Sequence, residues 1–225
     1  MEKKDHIRIG RHHIGHYRMF LSMIVLILVL RPFLEGYARG GLLTDIFFGL
    51  VLLSGVYSFG RKGKTFYVAL GIVLPALMLE VATHFLPFEP IVIIKRIMFV
   101  LFLGYILVII FSHILREKEV TEDLITGAIC VYLLLGMVWA FVFYFLELVH
   151  PGSFSFATTS EHDVGSFLYY SFITLATVGY GDIVPLTSPA RSLAALEAVM
   201  GQLYLAVTIA RLVGVHASQS RGREA

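Results

Sequence analysis

Long apolar segments with few charges are the feature that most restricts how this chain can fold. Of its 225 residues, 57% are hydrophobic and 15% are charged, and the mean hydropathy is +0.80. A soluble domain of this size needs more charged residues to cover its surface, so the bilayer is the expected solvent. A bilayer core of about 30 Å requires roughly 20 apolar residues per helical crossing, which leaves room for about six crossings. We therefore predict an all-α membrane protein.

Six apolar segments are predicted to span the membrane as helices. A further segment, residues 167–176, is too short to cross and is predicted to be a re-entrant helix between the fifth and sixth spans. Asp163 or Ser166 is its expected N-cap, because a side-chain oxygen there can accept a hydrogen bond from a free N–H group. No small-residue cleavage site follows the first span, so we interpret it as a retained helix. The six spans cover residues 19–34, 42–59, 66–86, 91–115, 124–149 and 190–213.

The distribution of basic residues predicts the orientation of the spans. With the N-terminus inside, thirteen of the eighteen Lys and Arg residues fall on the cytoplasmic side. Cytoplasmic loops carry an excess of Lys and Arg, so both termini are predicted to be cytoplasmic.

Cys130 lies in an apolar run and is interpreted as a packing residue. A solvated tail is favoured over metal or proton sensing for the N-terminal histidines, which are His6, His12, His13 and His16.

The motif Thr-Val-Gly-Tyr-Gly-Asp occupies residues 177–182, between the short helix and the last span. An ion that crosses a membrane loses its water, and backbone carbonyls can replace that hydration when they all point at one axis. Alternate residues must then reach backbone angles that side chains disfavour, and Gly179 and Gly181 can reach them. Val178 and Tyr180 are expected to point away from the axis and pack behind the motif. A chance occurrence of the motif in a turn is the alternative.

Residues 167–182 resemble the pore module of tetrameric potassium channels, and the likeness extends over roughly the last 100 residues. In that family four such loops surround one pore. The resemblance implies that backbone carbonyls coordinate K+ and that the Thr177 hydroxyl is the innermost ligand. Because one chain carries one loop, it also implies a homotetramer, with K+ as the permeant ion and no organic cofactor. The filter residues are Thr177, Val178, Gly179, Tyr180 and Gly181, of which the first four offer the carbonyls.

The resemblance assigns supporting roles to four further residues. Asp182 matches an acidic residue that bonds to an aromatic residue of the short helix, and Tyr169 takes the aromatic position, where relatives often have Trp. Thr174 matches a common hydroxyl that faces the cavity. Glu147 resembles a glutamate that braces the filter in some relatives, and a solvated helix end is the alternative.

The last predicted span carries two candidate gating residues. Gly201 lies where relatives place a hinge, and close helix packing is the alternative use of a glycine there. Glu197 is an ionisable residue at membrane depth, which makes it a functional candidate. It either faces the pocket behind the filter and makes gating sensitive to pH, or is protonated or bonded to a neighbour.

Six spans with the pore last resemble the voltage-gated layout, but the charges of a sensor are missing. A sensor needs several charges on one helix, because one charge crossing 100 mV contributes only about 2.3 kcal/mol. The fourth span has Lys95 and Arg96 as neighbours, and adjacent residues do not form a stripe. Acidic partners are sparse, with Asp45 in the second span and Glu80 in the third. The first four helices are predicted to form a scaffold, with the two basic side chains snorkelling to the outer interface.

These observations favour a potassium channel subunit, not an enzyme, in the cell (inner or plasma) membrane, with lipid but not nucleic acid as a partner. A nonselective or weakly voltage-gated cation channel is the nearest alternative. A secondary transporter is less favoured, because transporters usually show two interrupted helices in paired halves. The predicted regions are a cytoplasmic N-terminal tail (1–18), a four-helix scaffold (19–115), a cytoplasmic linker (116–123), the pore domain (124–213) and a short cytoplasmic C-terminal tail (214–225).

Overall fold

The apolar segments of the chain form α-helices, because a helix satisfies its own backbone hydrogen bonds where lipid cannot. The computed structural model describes residues 16–34, 49–56, 64–85, 89–157 and 163–224. In chain order the helices are α1 (His16–Leu34), the described part of α2 (49–56), α3 (Lys64–Phe85), α4 (Glu89–Arg116), α5 (Glu122–Val149), α6 (Val164–Leu175) and α7 (Ser188–Glu224).

Within the described residues, four helices are long and apolar enough to cross a membrane. These candidate spans are Thr65–Thr83, Pro90–Arg116, Glu122–Val149 and Ser188–Gln219, and they coincide with the third to sixth predicted spans. The prediction of an all-α membrane protein is therefore confirmed. α1 covers the first predicted span and α2 lies within the second, but the arrangement of six spans stays a prediction.

A small two-stranded sheet flanks the short helix α6. Strand β1 (Phe154–Phe156) pairs antiparallel with strand β2 (Ile183–Pro185), and Ser155 lies opposite Val184. Phe154 is buried while Ser155 is exposed, which is the alternation of a half-buried strand. The Phe154 ring packs edge-on against Phe143 of α5 and Phe167 of α6. This aromatic cluster attaches β1 to α5, which precedes it, and to α6, which follows it.

The last helix is longer than its sequence pattern indicates. α7 has 37 residues, which corresponds to about 55 Å and exceeds a bilayer core of about 30 Å. The predicted tail at 214–225 is therefore helical through Glu224.

α5 is the central helix of the described bundle. It packs against α1, α4, α6 and α7, while α3 packs on α4. Its start is set by Thr121, whose hydroxyl accepts the Leu124 N–H at 3.1 Å, with Glu122 and Asp123 in the first turn. Acidic residues at this end complement the positive helix terminus. Cys130 is buried in this helix, as expected for a packing residue.

Candidate functional site: the segment between the two last spans

The short helix α6 begins at an Asp cap. The Asp163 carboxylate accepts hydrogen bonds from the N–H groups of Gly165 and Ser166, at 3.0 and 2.9 Å. Of the two caps that the sequence allowed, Asp163 is thus the N-cap. Burial alone would raise the pKa of the Asp163 carboxyl. The hydrogen bonds from Ser166 and Gly165 and the charge of Arg31 outweigh this effect and bring the pKa below its ordinary value.

Arg31 of α1 joins the first helix to the start of α6. Its Nη2 lies 2.8 Å from Oδ2 of Asp163, and the Arg31 side chain is only 11% exposed. Gly165 leaves room for this guanidinium, because a Cβ at that position would lie 2.7 Å from Nη1 of Arg31. The cap of α6 is therefore held both by its own helix and by α1.

Two glycines allow α6 to lie very close to its neighbours. A Cβ at Gly136 of α5 would come within 2.6 Å of the Phe172 ring, and a Cβ at Gly201 of α7 would come within 2.5 Å of the Leu175 carbonyl oxygen. Gly201 is buried. A hinge and close helix packing were the two roles considered for Gly201 from the sequence. Its burial and its contact with Leu175 support close packing.

The backbone after α6 folds back onto the helix through its N–H groups. The N–H of Thr177 donates to the Thr174 carbonyl at 2.9 Å, and those of Val178 and Gly179 donate to the Ile173 carbonyl at 2.9 and 3.4 Å. Within the described residues, the carbonyl oxygens of residues 177–181 accept no hydrogen bond. The segment therefore presents free acceptors on the side that faces away from α6.

Positive φ angles alternate along this segment. Thr177, Gly179 and Gly181 have φ values of 57, 57 and 80°, whereas Val178 and Tyr180 between them do not have positive φ. Alternating left- and right-handed residues turn successive N–H groups to one side, and hence turn the carbonyls to the other. The sequence indicated this for the two glycines. It gave no sign that Thr177, which is β-branched and rarely left-handed, adopts the same geometry.

The side chains of Val178 and Tyr180 are exposed in the single chain. Their exposed fractions are 49% and 71%. The packing expected behind the motif is therefore not supplied by the described residues of the same chain. Thr174 is partly buried one turn before the motif.

The outer end of the segment is tied down by Asp182 and the small sheet. The Asp182 carbonyl accepts the Ala157 N–H at 2.8 Å, and its Oδ1 accepts the Ile183 N–H at 3.1 Å. The Tyr169 side chain of α6 interacts with the same carboxylate. Both residues were predicted from the sequence, but the sheet was not. The alternation Phe-Ser-Phe at residues 154–156 was the only sequence feature that indicated a strand there.

Glu147 acts on the same region through the turn that leads into β1. Its carboxylate accepts the N–H groups of Gly152 and Phe154, at 2.9 and 3.1 Å, and the residue is 6% exposed. The alternative of a solvated helix end is therefore wrong. Glu147 holds the turn, the turn leads into β1, and β1 pairs with the residues directly after the motif.

A cluster of buried polar groups lies between α5, α6 and α7. Glu197 of α7 and Ser171 of α6 are both fully buried, and Ser171 Oγ is within hydrogen-bond distance of Glu197 Oε1. Ser171 Oγ also lies 2.7 Å from the Gly136 carbonyl oxygen. The sequence singled out Glu197 but missed Ser171, whose only signal was a hydroxyl inside an apolar helix.

The charges of α4 are held by neighbouring helices. Lys95 Nζ lies 3.4 Å from Glu80 Oε1 of α3, with side chains only 15% and 13% exposed. The Arg96 guanidinium lies 4.5 Å from the centre of the Tyr144 ring of α5. These contacts differ from the snorkelling that was expected for both side chains.

Other residues considered from the sequence lie outside the described part of the chain: Asp45, His6, His12 and His13.

Backbone oxygens are the candidate ion ligands of this region. Among the described residues, no group of three or more His, Cys, Asp or Glu side chains could hold a metal ion. Carbonyl oxygens are suitable ligands for hard cations. The free carbonyl oxygens of residues 177–181 are ligands of this type, which makes the segment the candidate ion site.

Comparison with known proteins identifies the same region. Residues 129–216 match a family model whose description is "Ion channel". The match begins in α5 and ends in α7, so it includes α6, the motif and both strands. No curated protein matches the chain. Residues 129–216, less than half of the chain, are thus similar to an ion channel family, and the apolar helices of the described residues indicate a multi-pass membrane protein.

Proposed function

We propose that this chain is one subunit of a homotetrameric potassium channel, in which residues 177–181 of four chains form the filter for passive K+ flux. The observation that supports this most strongly is the orientation of the filter backbone. Three successive N–H groups, those of residues 177–179, are bound by α6, while the carbonyls of residues 177–181 are left free by the described residues. An unsatisfied backbone group at membrane depth costs several kcal/mol, so these oxygens need partners.

A partially dehydrated cation is the partner that this backbone suits. Rings of carbonyl oxygens from four loops replace the hydration shell of K+. Thr177, Val178, Gly179 and Tyr180 would provide the carbonyls, and the Thr177 hydroxyl would be the innermost ligand. One chain covers only one side of such a ring, so the full coordination requires further copies of the loop.

The exposed filter side chains also favour a tetramer. Val178 and Tyr180 are apolar or aromatic, yet 49% and 71% exposed in one chain. Fully burying an apolar side chain such as that of Val178 contributes about 1.5–3 kcal/mol. In a fourfold ring the neighbouring subunits would cover these residues, which would fix the width of the filter.

The complete subunit would have six spans, with both termini in the cytoplasm of the cell. α1 and α2 would supply the first two crossings and α6 the re-entrant helix. Asp182, Tyr169 and Glu147 would hold the outer end of the filter, and Thr174 would face the cavity.

The proposal is tested by potassium flux from liposomes that contain the purified chain. In the Gly179→Ala variant, a side chain is forced to φ 57°, which costs about 1–2 kcal/mol per residue in each of four subunits. We expect K+ flux to fall by at least about tenfold. Gly71→Ala is the matched control, because a Cβ at Gly71 meets nothing within 4 Å, and it should conduct like the wild type. Undiminished flux through Gly179→Ala would contradict the filter assignment.

A further inference from the structure

The cluster of Glu197, Ser171 and Gly136 links the three helices that surround the filter. Ser171 lies on α6, two residues before Ile173 and three before Thr174, whose carbonyls accept the filter N–H groups. Glu197 approaches it from α7, and the Gly136 carbonyl approaches it from α5. All three residues are buried. A polar group enclosed in this way needs complete hydrogen bonding, because an unpaired one is costly.

Counting protons determines how these groups can bond. A serine hydroxyl carries one proton, and a backbone carbonyl can only accept. If Ser171 donates to the Gly136 carbonyl, the contact between Ser171 Oγ and Glu197 needs a proton from Glu197. If Glu197 were ionised, Ser171 would donate to it, and two oxygens without a shared proton would face each other at 2.7 Å.

The surroundings of Glu197 also disfavour an ionised carboxylate. Its second oxygen, Oε2, is buried and has no hydrogen-bond partner among the described residues. No described basic residue forms an ion pair with it. The titratable groups that face it electrostatically are Tyr132 of α5 and Tyr170 of α6, and a phenol brings no positive charge. An isolated buried carboxylate is far more costly than a neutral acid.

We propose that Glu197 is held as a neutral carboxylic acid and acts as a positioning residue for the filter. It donates its proton to Ser171 Oγ, and Ser171 donates to the Gly136 carbonyl. This chain of two hydrogen bonds fixes α6 between α5 and α7, at the level where Gly136 and Gly201 allow the closest approach. The inference rests on the proposed channel function, which it deepens by naming what holds the filter helix in place.

Infrared spectroscopy tests the protonation state directly in the full chain reconstituted in liposomes. A buried carboxylic acid gives a carbonyl stretch separate from the carboxylate bands. We expect such a band at neutral pH in the wild type, its loss in Glu197→Gln, and its persistence in Glu119→Gln, which changes an exposed glutamate. A wild-type spectrum that Glu197→Gln leaves unchanged in this region would overturn the proposal.

Potassium flux tests the positioning role in the same liposomes. An amide N–H of Glu197→Gln can replace the donated proton, so this variant should stay within about twofold of the wild type. Glu197→Ala and Ser171→Ala each break the chain of hydrogen bonds and should lower K+ flux about tenfold, the effect expected from a lost buried hydrogen bond. Ser171→Ala removes a single oxygen, so it serves as the test if Glu197→Ala does not assemble.

The flux measurements distinguish a failure of the positioning role from a failure of the proposed channel function. Equal loss of flux in Glu197→Gln and Glu197→Ala, or full flux in Ser171→Ala, would overturn the positioning role while leaving the channel function intact. Wild-type liposomes that pass no more K+ than empty ones would instead overturn the proposed function itself.

Discussion

At the residue scale, the geometry of the proposed filter depends on glycines at four positions, which are Gly136, Gly179, Gly181 and Gly201. Gly136 lies on α5 and Gly201 on α7, and at both positions a Cβ would overlap with atoms of α6. Close approach of this kind replaces the hydrophobic driving force that helices lack in lipid. Gly179 and Gly181 act differently, because they provide backbone angles rather than space.

Gly201→Ala is predicted to destabilise the protein. The new methyl group would overlap the Leu175 carbonyl oxygen, and overpacking of this kind typically costs about 1–3 kcal/mol. Gly214→Ala, in the same helix, meets nothing within 4 Å and should be neutral or slightly stabilising, since alanine favours helix by up to about 1 kcal/mol. Thermal unfolding in detergent measures the difference. Equal melting temperatures for the two variants would favour the hinge interpretation over close packing.

Asp163 is predicted to make stability depend on acidity. Its pKa is lower in the folded protein than its ordinary value of about 3.9. A lowered folded pKa contributes stability that is present above the ordinary value and is lost as the pH falls through the folded one. Asp163→Asn keeps a capping side chain but removes the charge. The wild type should melt higher than this variant at pH 7, and the gap should close in strong acid. A gap that is independent of pH would contradict the prediction.

At the element scale, contacts at both ends of the bundle join α1 to α6 and α4 to α7. Arg31 of α1 pairs with the cap of α6. At the opposite end of the bundle, Arg211 of α7 donates to the carbonyls of Ile114 and Glu117 at 3.2 and 3.0 Å. A basic side chain there satisfies acceptors at the C-terminal end of α4. These contacts support a fixed scaffold more than a mobile sensor.

Neutralising the charges of α4 is predicted to leave voltage dependence unchanged. Lys95 is paired with Glu80, and Arg96 lies on the Tyr144 ring, so neither is placed to move through the field. The double variant Lys95→Gln/Arg96→Gln should therefore show the same steepness of the conductance–voltage relation as the wild type. Recordings from planar bilayers measure it. A sensor would lose about 2.3 kcal/mol per 100 mV for each charge removed, so a shallower relation in the variant would contradict the prediction.

At the scale of the whole molecule, features that depend on nearby residues could be predicted from the sequence, whereas contacts between distant residues could not. Long apolar runs placed α3, α4, α5 and α7, because helix formation in lipid depends on the segment itself. The Asp163 cap was also readable, since its partners are two and three residues away. The end of α7 was not, because hydropathy marks where a helix leaves lipid and not where it stops.

The contacts around the proposed filter could not be predicted from one sequence. Ser171 and Glu197 are 26 residues apart, and Arg31 and Asp163 are 132 apart. The β1–β2 pairing joins two strands of three residues each, too short for a reliable alternation pattern. Each contact depends on how the helices pack, which is decided by the whole bundle.

Ion selectivity tests the central claim most directly, because the free carbonyls of residues 177–181 are proposed to replace the hydration of K+. The measurement is the reversal potential of the wild-type chain in a planar bilayer at equal total salt, with mostly K+ on one side and mostly Na+ on the other. The account predicts a current that reverses close to the K+ equilibrium potential. Reversal at zero voltage, the sign of equal permeability to the two ions, would contradict it and favour a nonselective cation channel.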